Sequence, residues 1–490
     1  MESTGLLQSD KSDPHQAQKL PLVVDLDGTL LKTDSLHEGF VALLSRQPWQ
    51  ALRAIGTLLA HGRAAMKAEI AGHCFVNIDT LPLNDDFLGW LKMQAASGRE
   101  LYLVSAADQG VVEKMATRIG IFKSCVGSDG TRNLKGQHKA EFLAKMFPNG
   151  FAYAGDSAAD IAVWNRARAI VLVHASASVS SRAERLQKPI EARFAGVQGA
   201  WRPLLRQFRL HQWSKNLLVF VPVILAHRFA DQQAWLHSLV AFFALGVTAT
   251  ATYIVNDLVD LQADRSHTTK CKRPIAAGEV SIALACALVP IFLVTGFALA
   301  FATGPAAGAV LAAYLALTLA YSFKLKRIAL FDTVVLGLLF TLRIVLGAAA
   351  ADIPLSPWLL AFSVSMFFSL SMAKRQTEIA KKALFSEAEM IVGRGYQASD
   401  GVLTLVYGIS SGVASLVILM LYTTNSVAAG LYREPAWLWV VPLLLYLWQM
   451  RIWLLAHRGV LDDDPIVFAL KDKASLALGV GCAIAFYLAL

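Results

Sequence analysis

The stretch NDLVDLQADRSHTTKCKRPIAAGEV, residues 256–280, places a dense group of charged side chains directly after the apolar run AWLHSLVAFFALGVTATATYIV at 234–255. The apolar run is long enough to cross the hydrocarbon core of a bilayer as a helix. Charge at this density beside a bilayer is costly unless it binds an ionic partner. The stretch therefore predicts a membrane protein that has a polar site at the end of one of its spans.

Three aspartates of this stretch, Asp257, Asp260 and Asp264, follow one another at spacings of three and four residues. They project from one face if the helix continues beyond the membrane surface, where three carboxylates repel one another. Together with Asn256 they offer the oxygen ligands that a hard cation prefers. The pattern predicts a Mg²⁺ site; the alternative is a solvated helix end whose acids pair with Arg265 and Lys270.

Basic residues follow the aspartates at once. Mg²⁺ keeps few protein ligands and completes its shell with substrate phosphates. Lys270, Lys272 and Arg273 are therefore expected to bind the rest of an anionic substrate. His267 is either a further phosphate ligand or a solvated loop side chain. The whole stretch predicts a site for a magnesium-diphosphate group.

Composition divides the chain near residue 205. Over its 490 residues it is 55% apolar and only 17% charged, which is more apolar than a wholly soluble protein. The first twenty residues are polar and predict a flexible tail rather than a signal peptide. The net charge of +9 is assigned to cytoplasmic loops rather than to nucleic-acid binding. Five cysteines without a CxxC pair indicate neither a disulfide framework nor a zinc site.

Apolar runs after residue 205 predict nine transmembrane helices, at 213–230, 232–255, 281–302, 305–323, 329–350, 355–373, 401–422, 435–456 and 474–490. Four loops on one side are rich in Lys and Arg: 256–280, 321–328, 374–400 and 457–473. The turns on the opposite side contain only Arg228 and Arg433. The positive-inside rule therefore predicts a multi-pass protein of the inner (plasma) membrane, with the N-terminal part and the polar motifs in the cytoplasm.

A second polar set lies within and beside these runs. Asp332 and Arg343 are eleven residues apart in one apolar helix, too far for a mutual ion pair, and intramembrane charges indicate function. The cations that accompany them are Lys324, Lys326, Arg327, Lys374 and Arg375. For the last two, with Glu378 nearby, snorkelling at a helix end is the alternative to ligand binding.

The N-terminal part repeats one pattern, an apolar strand that ends in polar side chains. It occurs in PLVVDLDGTLLKTD (21–34), LYLVSAAD (101–108) and FAYAGDSAADIAVW (151–164), while LKGQHKAEFL (134–143) supplies lysines before a helix. The residues concerned are Asp25, Asp27, Ser105, Lys135, Lys139, Asp156 and Asp160, with Lys139 preferred over Lys135 because it opens the helix. Open α/β sheets build their sites at such strand ends. Helical spacing at about 35–95 predicts a cap over the site.

This set resembles the haloacid-dehalogenase-like phosphohydrolases over roughly residues 20–172. The resemblance implies a Rossmann-like α/β fold. It makes Asp25 the nucleophile and Asp27 the acid and base. Ser105 and Lys139 would bind the phosphoryl group. The Mg²⁺ ligands would be Asp25, Asp156 and Asp160. A scaffold domain without activity is the alternative.

The segments NDLVDLQADRSHTTKCKRPIAAG and YSFKLK, with Asp332, look like the UbiA family of intramembrane prenyltransferases, which have nine transmembrane helices and two aspartate-rich Mg²⁺-diphosphate motifs. Within that family, LKRIALFDTVVLGLLFTLRIVLGAAA, MAKRQTEI and DDDPIVFALKDKAS are similar to decaprenyl-phosphate phosphoribosyltransferases. The chain departs from the family in its fused N-terminal domain and in having a lone Asp332 where many members have a pair. The lone aspartate weakens the case for a prenyl-diphosphate donor.

The resemblance implies transfer of 5-phosphoribose from 5-phosphoribosyl diphosphate to a polyprenyl (decaprenyl) phosphate, followed by removal of the 5-phosphate by the N-terminal domain. Mg²⁺ would bind at separate sites in the two domains. In the transferase, the catalytic residues would be Asp257, Asp260 and Asp264, and these three with Asn256 would bind the metal. Substrate would bind Asn256, Lys270, Lys272, Arg273, Lys324, Lys326, Asp332, Arg343, Lys374 and Arg375.

Two rival functions remain open at this point: a prenyltransferase that acts on an aromatic ring, and a lipid-binding or transport module with a scaffold domain. The expected organisation is a tail at 1–20, a phosphohydrolase domain at 21–172, a linker at 173–205 and a transmembrane domain at 206–490. Formation of a homo-oligomer is left open.

Overall fold

The structure is a computed structural model that describes residues 20–72, 76–129, 134–196, 201–385, 395–424, 431–461 and 465–490. It forms two compact units. The first comprises Met1–Phe208 and Ile254–Ala287, and the second comprises Arg209–Tyr253 and Leu288–Leu490. Most of the predicted N-terminal tail lies outside the described residues.

A six-stranded parallel sheet forms the centre of the first unit. Its strands are β1 Leu22–Val24, β2 Leu101–Asp108, β3 Ser124–Ser128, β4 Ala152–Gly155, β5 Ala169–Val173 and β6 Ile190–Phe194. They are ordered β3-β2-β1-β4-β5-β6. Leu22 lies opposite both Leu101 and Ala152, so the carboxyl ends of β1, β2 and β4 lie at one edge. The predicted α/β fold with a parallel sheet is confirmed.

Both faces of the sheet are buried, as expected where helices cover a parallel sheet on both sides. Leu22 and Val24 pack in one apolar cluster with Leu103. Val23 belongs to a second cluster on the opposite face, which also contains Tyr153. This explains why the strand that precedes Asp25 is apolar at every position rather than alternating.

Helices precede, separate and follow the strands of the N-terminal domain. They are α1 Ser35–Arg46, α2 Pro48–Gly72, α3 Asp85–Ala96, α4 Gln109–Ile119, α5 Gln137–Met146, α6 Ile161–Arg166, α7 Ala177–Glu184 and α8 Trp201–Phe208. Helix α2 contains a break at Gly62, whose φ is 81°. The helical cap core joins α1 to α2 through Leu43, Ala51 and Ile70. Helix α3 packs instead on the sheet through Phe87 and Leu91, so the predicted cap at 35–95 extends too far.

The sheet also continues past the predicted domain boundary at 172. The predicted linker at 173–205 contains α7 and β6, and β6 pairs in parallel with β5. Strand β6 has the sequence IEARF and is only partly buried. Charged side chains are common on edge strands, and here they hide the apolar pattern that would have identified a strand.

Helices dominate the second unit. The long helices, which include residues 254–259 and 282–287 of the first unit, are α10 Gln232–Val259, α12 Ile282–Thr303, α13 Pro305–Phe323, α14 Phe331–Ala350, α15 Pro357–Phe385, α16 Gly401–Thr423 and α17 Val440–His457; the short α11 given next also belongs to the first unit. The short helices between and after these are α9 Val221–Leu225, α11 Leu261–Arg265, α18 Pro465–Ala469 and α19 Lys473–Ala489. Among the described residues, seven helices are long and apolar enough to cross a membrane. A multi-pass membrane protein is therefore supported.

The prediction of nine spans is not confirmed. The last predicted span corresponds to α19, a shorter apolar helix. The first one, at 213–230, is a 3₁₀ helix at Leu210–Phe220 followed by the short α9. Positive φ values at Arg209 (51°) and His227 (55°) bend the chain at both ends of this segment. An apolar run therefore became two short helices rather than one continuous span.

Helix α14 is largely enclosed by other parts of the protein, since 67% of the residues in its most apolar segment are buried. Leu339 and Leu346 join one apolar cluster, while Phe340 and Ile344 join another. Because most of its side chains are enclosed, the charged residues of α14 must find partners inside the protein.

Two candidate active sites

The first candidate site lies at the carboxyl edge of the sheet and centres on Asp25. Its Oδ2 atom lies 2.9 Å from Nζ of Lys139, which is only 2% exposed. The same Nζ donates to the hydroxyl of Tyr153 at 2.9 Å. The Tyr153 hydroxyl lies 2.9 Å from Asp160 Oδ1 and 3.3 Å from Asp25 Oδ2. One lysine and one tyrosine thus connect two carboxylates.

Tyr153 was not predicted from the sequence. It lies in β4, three residues before Asp156, within a run that is buried at every position. A buried tyrosine hydroxyl usually needs a hydrogen-bond partner, and this rule is the sequence signal that was available. Burial, followed by the charge of Asp160, raises the pKa of Tyr153 well above its usual value, so the hydroxyl stays a donor.

Asp156 and Asp160 complete the acidic group. Thr29 Oγ1 donates to Asp156 Oδ1 at 3.1 Å, and Asp160 Oδ2 accepts from Ser157 N at 2.9 Å and Ser157 Oγ at 2.8 Å. Gly28, with φ 74°, leaves the space that Asp156 occupies, because a Cβ there would collide with the carboxylate. A glycine is therefore required for both its backbone angle and its size.

Oxygen atoms of Asp25, Asp156 and Asp160 lie within 4.8 Å of one another. In the described part of the chain, this is the one group of three or more acidic, histidine or cysteine side chains that meets this distance. Burial, then the charges of Asp160 and Asp25, raise the pKa of Asp156 to about 8. Three carboxylates facing a single lysine need further positive charge, and their oxygen atoms suit Mg²⁺.

Asp27 is bound to the first residue of helix α1. Its carboxylate accepts from Ser35 N at 2.8 Å and from Ser35 Oγ at 3.0 Å. Burial, followed by the charge of Asp34, raises the pKa of Asp27 to about 7. A carboxyl with this pKa can give or take a proton near neutral pH.

Of the other residues predicted for this site, some lie in it and one does not. Ser105 is 1% exposed, and its Oγ accepts from Ala107 N at 3.2 Å at the end of β2. Lys135 is exposed, whereas Lys139 reaches Asp25. The structure therefore brings together the acidic residues and Lys139, and it leaves Lys135 outside.

The second candidate site begins with the aspartate motif, in the first unit. Asp257 lies in the last turn of α10 and Asp264 lies in α11; both are 2% exposed. Arg273 joins them, since its Nη1 lies 3.0 Å from Asp257 Oδ1 and 2.6 Å from Asp264 Oδ2. Asp260 lies between the two helices and is partly buried. The predicted neighbour Arg265 instead forms a bidentate pair with Glu38 of α1, at 2.8 and 2.6 Å.

Two buried side-chain oxygen atoms, Asn256 Oδ1 and Gln207 Oε1, have no hydrogen-bond partner among the described residues. The amide nitrogen of Gln207 donates to Asp257 Oδ2 at 2.8 Å. Buried acceptors without a donor are costly, and a cation would satisfy both. Carboxylate and amide oxygens are the ligand types that Mg²⁺ prefers, but among the described residues the ligand atoms of Asp257, Asp260 and Asp264 do not all lie within the 4.8 Å of one another that the group around Asp25 meets. Gln207 lies outside the predicted motif and was missed because it is distant in sequence.

The remaining residues of the basic stretch face solvent. Lys270 and Lys272 are exposed, and so is His267, whose Nδ1 accepts from Thr269 N at 3.2 Å. This leaves the two lysines accessible to an anion, while Arg273 is held by the aspartates.

In the second unit, Asp332 and Arg375 form a buried ion pair rather than separate ligands. Arg375 Nε lies 2.6 Å from Asp332 Oδ2, and the two side chains are 1% and 0% exposed. Tyr396 OH donates to Asp332 Oδ1 at 2.8 Å. A second carboxylate, Glu378, also pairs with Arg375. Asp332 and Arg375 are thus neutralised by protein groups.

Arg343 differs from Arg375. It is 5% exposed and donates to Asn216 Oδ1 at 3.3 Å and to Tyr314 OH at 3.2 Å. Its guanidinium carbon also lies 4.9 Å from the centre of the Phe340 ring. No carboxylate pairs with it among the described residues.

The other predicted cations lie at helix ends. Lys324 follows α13 and is exposed, Lys326 is partly buried, and Lys374 is partly buried in α15. Arg327 is exposed. The acidic run 462–464 lies outside the described residues.

Comparisons with known proteins identify relatives of the membrane part of the chain. Residues 217–470 match the UbiA prenyltransferase family. A Sinorhizobium fredii protein called "uncharacterized protein y4nM" is 43% identical over 474 residues, which are 96% of this chain and 92% of that protein. Nodulation protein NoeC of Azorhizobium caulinodans is 34% identical over 283 residues, 56% of this chain and 89% of that protein. Decaprenyl-phosphate phosphoribosyltransferase of Mycobacterium tuberculosis is 33% identical over 228 residues, 44% of this chain and 73% of that enzyme.

Solved structures resemble each part separately. A UbiA homolog from Archaeoglobus fulgidus bound to GPP and Mg²⁺ covers 59% of this chain and 98% of its own, with 14% identity and a TM-score of 0.45. A substrate-bound phosphoserine phosphatase covers 36% of this chain and 93% of its own, with 16% identity and a TM-score of 0.26. Because the family match covers more than half of the chain and the two rhizobial relatives are matched over most of their length, the protein belongs to the UbiA prenyltransferase family.

Proposed function

We propose that this enzyme transfers 5-phosphoribose from 5-phosphoribosyl diphosphate to a polyprenyl phosphate, and that its N-terminal domain then removes the 5-phosphate. The product would be a ribosyl polyprenyl phosphate. A division into an N-terminal phosphohydrolase part and a transmembrane part at 206–490, and a position in the plasma membrane with both sites on the cytoplasmic side, belong to the same proposal. Relatives that are decaprenyl-phosphate phosphoribosyltransferases support the choice of substrates.

One observation carries this proposal: a chain related to these enzymes contains two kinds of polar centre. One is the acidic centre around Asp257, with its two unpaired amide oxygens. The other is the buried cation Arg343, which pairs with no carboxylate in the part of the chain that the structure describes. A donor and an acceptor that both carry phosphate need anion-binding groups beyond the metal site. A neutral aromatic acceptor would not need them.

In the transfer reaction, an oxygen of the lipid phosphate attacks the anomeric carbon of the ribose, and the bond from that carbon to the diphosphate breaks. Mg²⁺, held by Asn256, Asp257, Asp260 and Asp264, would neutralise the charge of the diphosphate. Arg273 now occupies the space between Asp257 and Asp264. We expect it to turn toward the diphosphate when that group binds.

In the hydrolase domain, Asp25 attacks the phosphorus atom of the 5-phosphate, and the bond to the ribose 5-oxygen breaks. Asp27 donates its proton to that oxygen, and then takes a proton from the water that hydrolyses the aspartyl-phosphate. Lys139, at 2.9 Å from Asp25, reduces the repulsion between carboxylate and phosphate. Mg²⁺ on Asp25, Asp156 and Asp160 would supply further positive charge.

The test uses purified full-length protein in detergent, radiolabelled 5-phosphoribosyl diphosphate, Mg²⁺ and decaprenyl phosphate, with lipid products separated by chromatography. Wild type is compared with Asp257→Asn and Asp25→Asn. We expect the dephosphorylated sugar lipid from wild type, the phosphorylated lipid from Asp25→Asn, and no labelled lipid from Asp257→Asn. If no label enters lipid in any variant while a prenyl diphosphate is consumed, the enzyme is a conventional prenyltransferase instead.

A further inference from the structure

Arg343 is a buried cation that no carboxylate of the described residues neutralises. Its contacts are the carbonyl oxygen of Leu339, the hydroxyl of Tyr314 and the side-chain oxygen of Asn216. All three are neutral, and in the described residues the ion pairs of the second unit involve other arginines. A buried charge without a counter-charge is costly inside a membrane protein. An anion at this place would remove that cost.

Asn216 provides an independent indication of a ligand. It is 2% exposed, and its Nδ2 is buried without any hydrogen-bond partner. Its Oδ1 accepts from Arg343 Nε at 3.3 Å. Because both atoms belong to one amide group, the unpaired donor lies beside the guanidinium. Native proteins rarely leave such a donor unsatisfied.

Lys215 adds a second positive charge next to Asn216. Its Nζ lies 5.7 Å from the centre of the Phe340 ring, and the guanidinium carbon of Arg343 lies 4.9 Å from the same centre. Both cations therefore lie against one aromatic side chain, and the amide group of Asn216 bonds to one of them, Arg343.

A close helix contact fixes this group in position. A Cβ atom at Gly347 would collide with the carbonyl oxygen of Val219, so the 3₁₀ helix Leu210–Phe220 lies directly against α14. Val219 follows Asn216 by one 3₁₀ turn, and Gly347 follows Arg343 by about one α-helical turn. The contact therefore holds Asn216 level with Arg343 along the helix axis. A preorganised binding site requires such a fixed arrangement.

We propose that Asn216, Arg343 and Lys215 form a subsite for a phosphomonoester. This proposal rests on the proposed function, in which two substrates carry such a group: the ribose 5-phosphate of the donor and the terminal phosphate of the polyprenyl acceptor. The phosphate oxygens accept hydrogen bonds from the remaining N–H groups of Arg343 and from Asn216 Nδ2, and Lys215 contributes charge. By contrast, Arg375 is already paired with Asp332 and is not part of this subsite.

The decisive variant is Asn216→Asp. It keeps the shape of the side chain, replaces the unpaired donor by an acceptor, and neutralises Arg343 with a protein carboxylate. We expect full-length protein carrying it to melt at the same or a higher temperature than wild type, while phosphate binding weakens about tenfold to a hundredfold. The matched control is Gln449→Glu, the same chemical change at a 5% exposed amide whose Nε2 contacts Ser415 and Met366. It is expected to lower the melting temperature and to leave phosphate affinity unchanged.

Affinities for pairs of ligands that differ by one phosphate group identify which substrate binds at the subsite. Affinities are measured in detergent for 5-phosphoribosyl diphosphate against ribosyl diphosphate without the 5-phosphate, and for farnesyl phosphate against farnesol. If the subsite binds the 5-phosphate, Asn216→Asp weakens the binding of 5-phosphoribosyl diphosphate and leaves the other three affinities unchanged. If the subsite binds the lipid phosphate, the substitution weakens only the binding of farnesyl phosphate. Unchanged affinities in both pairs would overturn the proposal, and so would a loss of binding accompanied by a fall in melting temperature as large as that of Gln449→Glu.

Melting temperatures measured with inorganic phosphate show whether a negative result refutes the subsite or only the proposed function on which it rests. Suppose wild type does not bind 5-phosphoribosyl diphosphate, yet inorganic phosphate and farnesyl phosphate raise its melting temperature and fail to do so in Asn216→Asp. The subsite then exists and the phosphoribosyl reaction is wrong. If phosphate stabilises both proteins equally, Asn216 does not bind the anion and the subsite is refuted.

Discussion

Asp156 shows how a single residue of the acidic group around Asp25 can lower the stability of the metal-free fold. Its pKa is raised to about 8 by burial and by the charges of Asp160 and Asp25. A carboxyl whose pKa is higher in the folded than in the unfolded state destabilises the fold as pH rises above its usual value of 3.8. The destabilisation is complete once pH exceeds the folded pKa. Repulsion of this kind is relieved when Mg²⁺ binds.

We predict that Asp156→Asn raises the melting temperature of metal-free protein by roughly 2–6 °C near pH 8, with a smaller gain near pH 5. Adding Mg²⁺ should raise the melting temperature of wild type but not that of the variant at this site. Thermal melts in EDTA and in Mg²⁺ check both statements. The control is Asp86→Asn on helix α3, where the side chain is exposed. A destabilised Asp156→Asn protein in EDTA would show that repulsion in the acidic group is not the dominant effect.

At the scale of elements, helix α1 connects two polar centres of the first unit. Its Ser35 binds Asp27, and its Glu38 forms the bidentate pair with Arg265, which follows Asp264 directly. The Glu38 and Arg265 side chains are 2% and 3% exposed. A buried pair of this kind is costly to break because the remaining charge is left without a partner.

We predict that Glu38→Gln alone and Arg265→Gln alone each destabilise the protein by about 3–5 kcal/mol. The double variant should lose less than the sum, with a coupling of at least about 1 kcal/mol. Thermal and denaturant melts of the purified chain measure all three. Arg193→Gln is the control, since Arg193 pairs with Glu184 at half-exposed positions and should change stability by less than about 1 kcal/mol. Additive effects in the double variant would contradict the pair as a coupled unit.

The contact of α14 with the 3₁₀ helix gives a second prediction at this scale. Gly347→Ala should push the Val219 backbone away and cost about 1–3 kcal/mol, because the neighbour is backbone and cannot rotate aside. Gly479→Ala in helix α19 meets nothing within 4 Å and should be neutral or slightly stabilising. Comparison of the two melting temperatures is the measurement. Equal temperatures would show that the two helices separate easily.

The same elements show what the sequence could predict. Strand-end acids such as Asp25 and Asp156 could be placed together, because parallel strands bring their carboxyl ends to one edge. Strand β6 was missed because its charges mask the pattern, and the first predicted span was wrong in form because periodicity does not reveal a bend at His227. Tyr153 and Asn216 could not be identified as site residues, since only tertiary packing brings them to their partners.

At the scale of the whole molecule, the proposed function places two consecutive reactions in one chain. The intermediate between them is a lipid whose polyprenyl tail keeps it in the bilayer. Each buried CH₂ adds about 0.8 kcal/mol to membrane affinity, so a long polyprenyl chain does not leave the membrane. It can, however, diffuse laterally from one protein to another. Fusion of the two domains then raises the rate of the second step without being essential for it.

We predict that Asp25→Asn and Asp257→Asn proteins complement each other when reconstituted in the same vesicles. The Asp25→Asn protein makes the phosphorylated lipid, and the intact hydrolase domain of the Asp257→Asn protein dephosphorylates it. Labelled ribosyl polyprenyl phosphate should therefore appear in mixed vesicles, more slowly than with wild type at equal total protein. The control places the two variants in separate vesicles, where exchange of the lipid is slow and the phosphorylated form should persist. If mixed vesicles accumulate only the phosphorylated lipid, the intermediate passes between the two sites of one chain without release, and the fusion is essential for the second reaction.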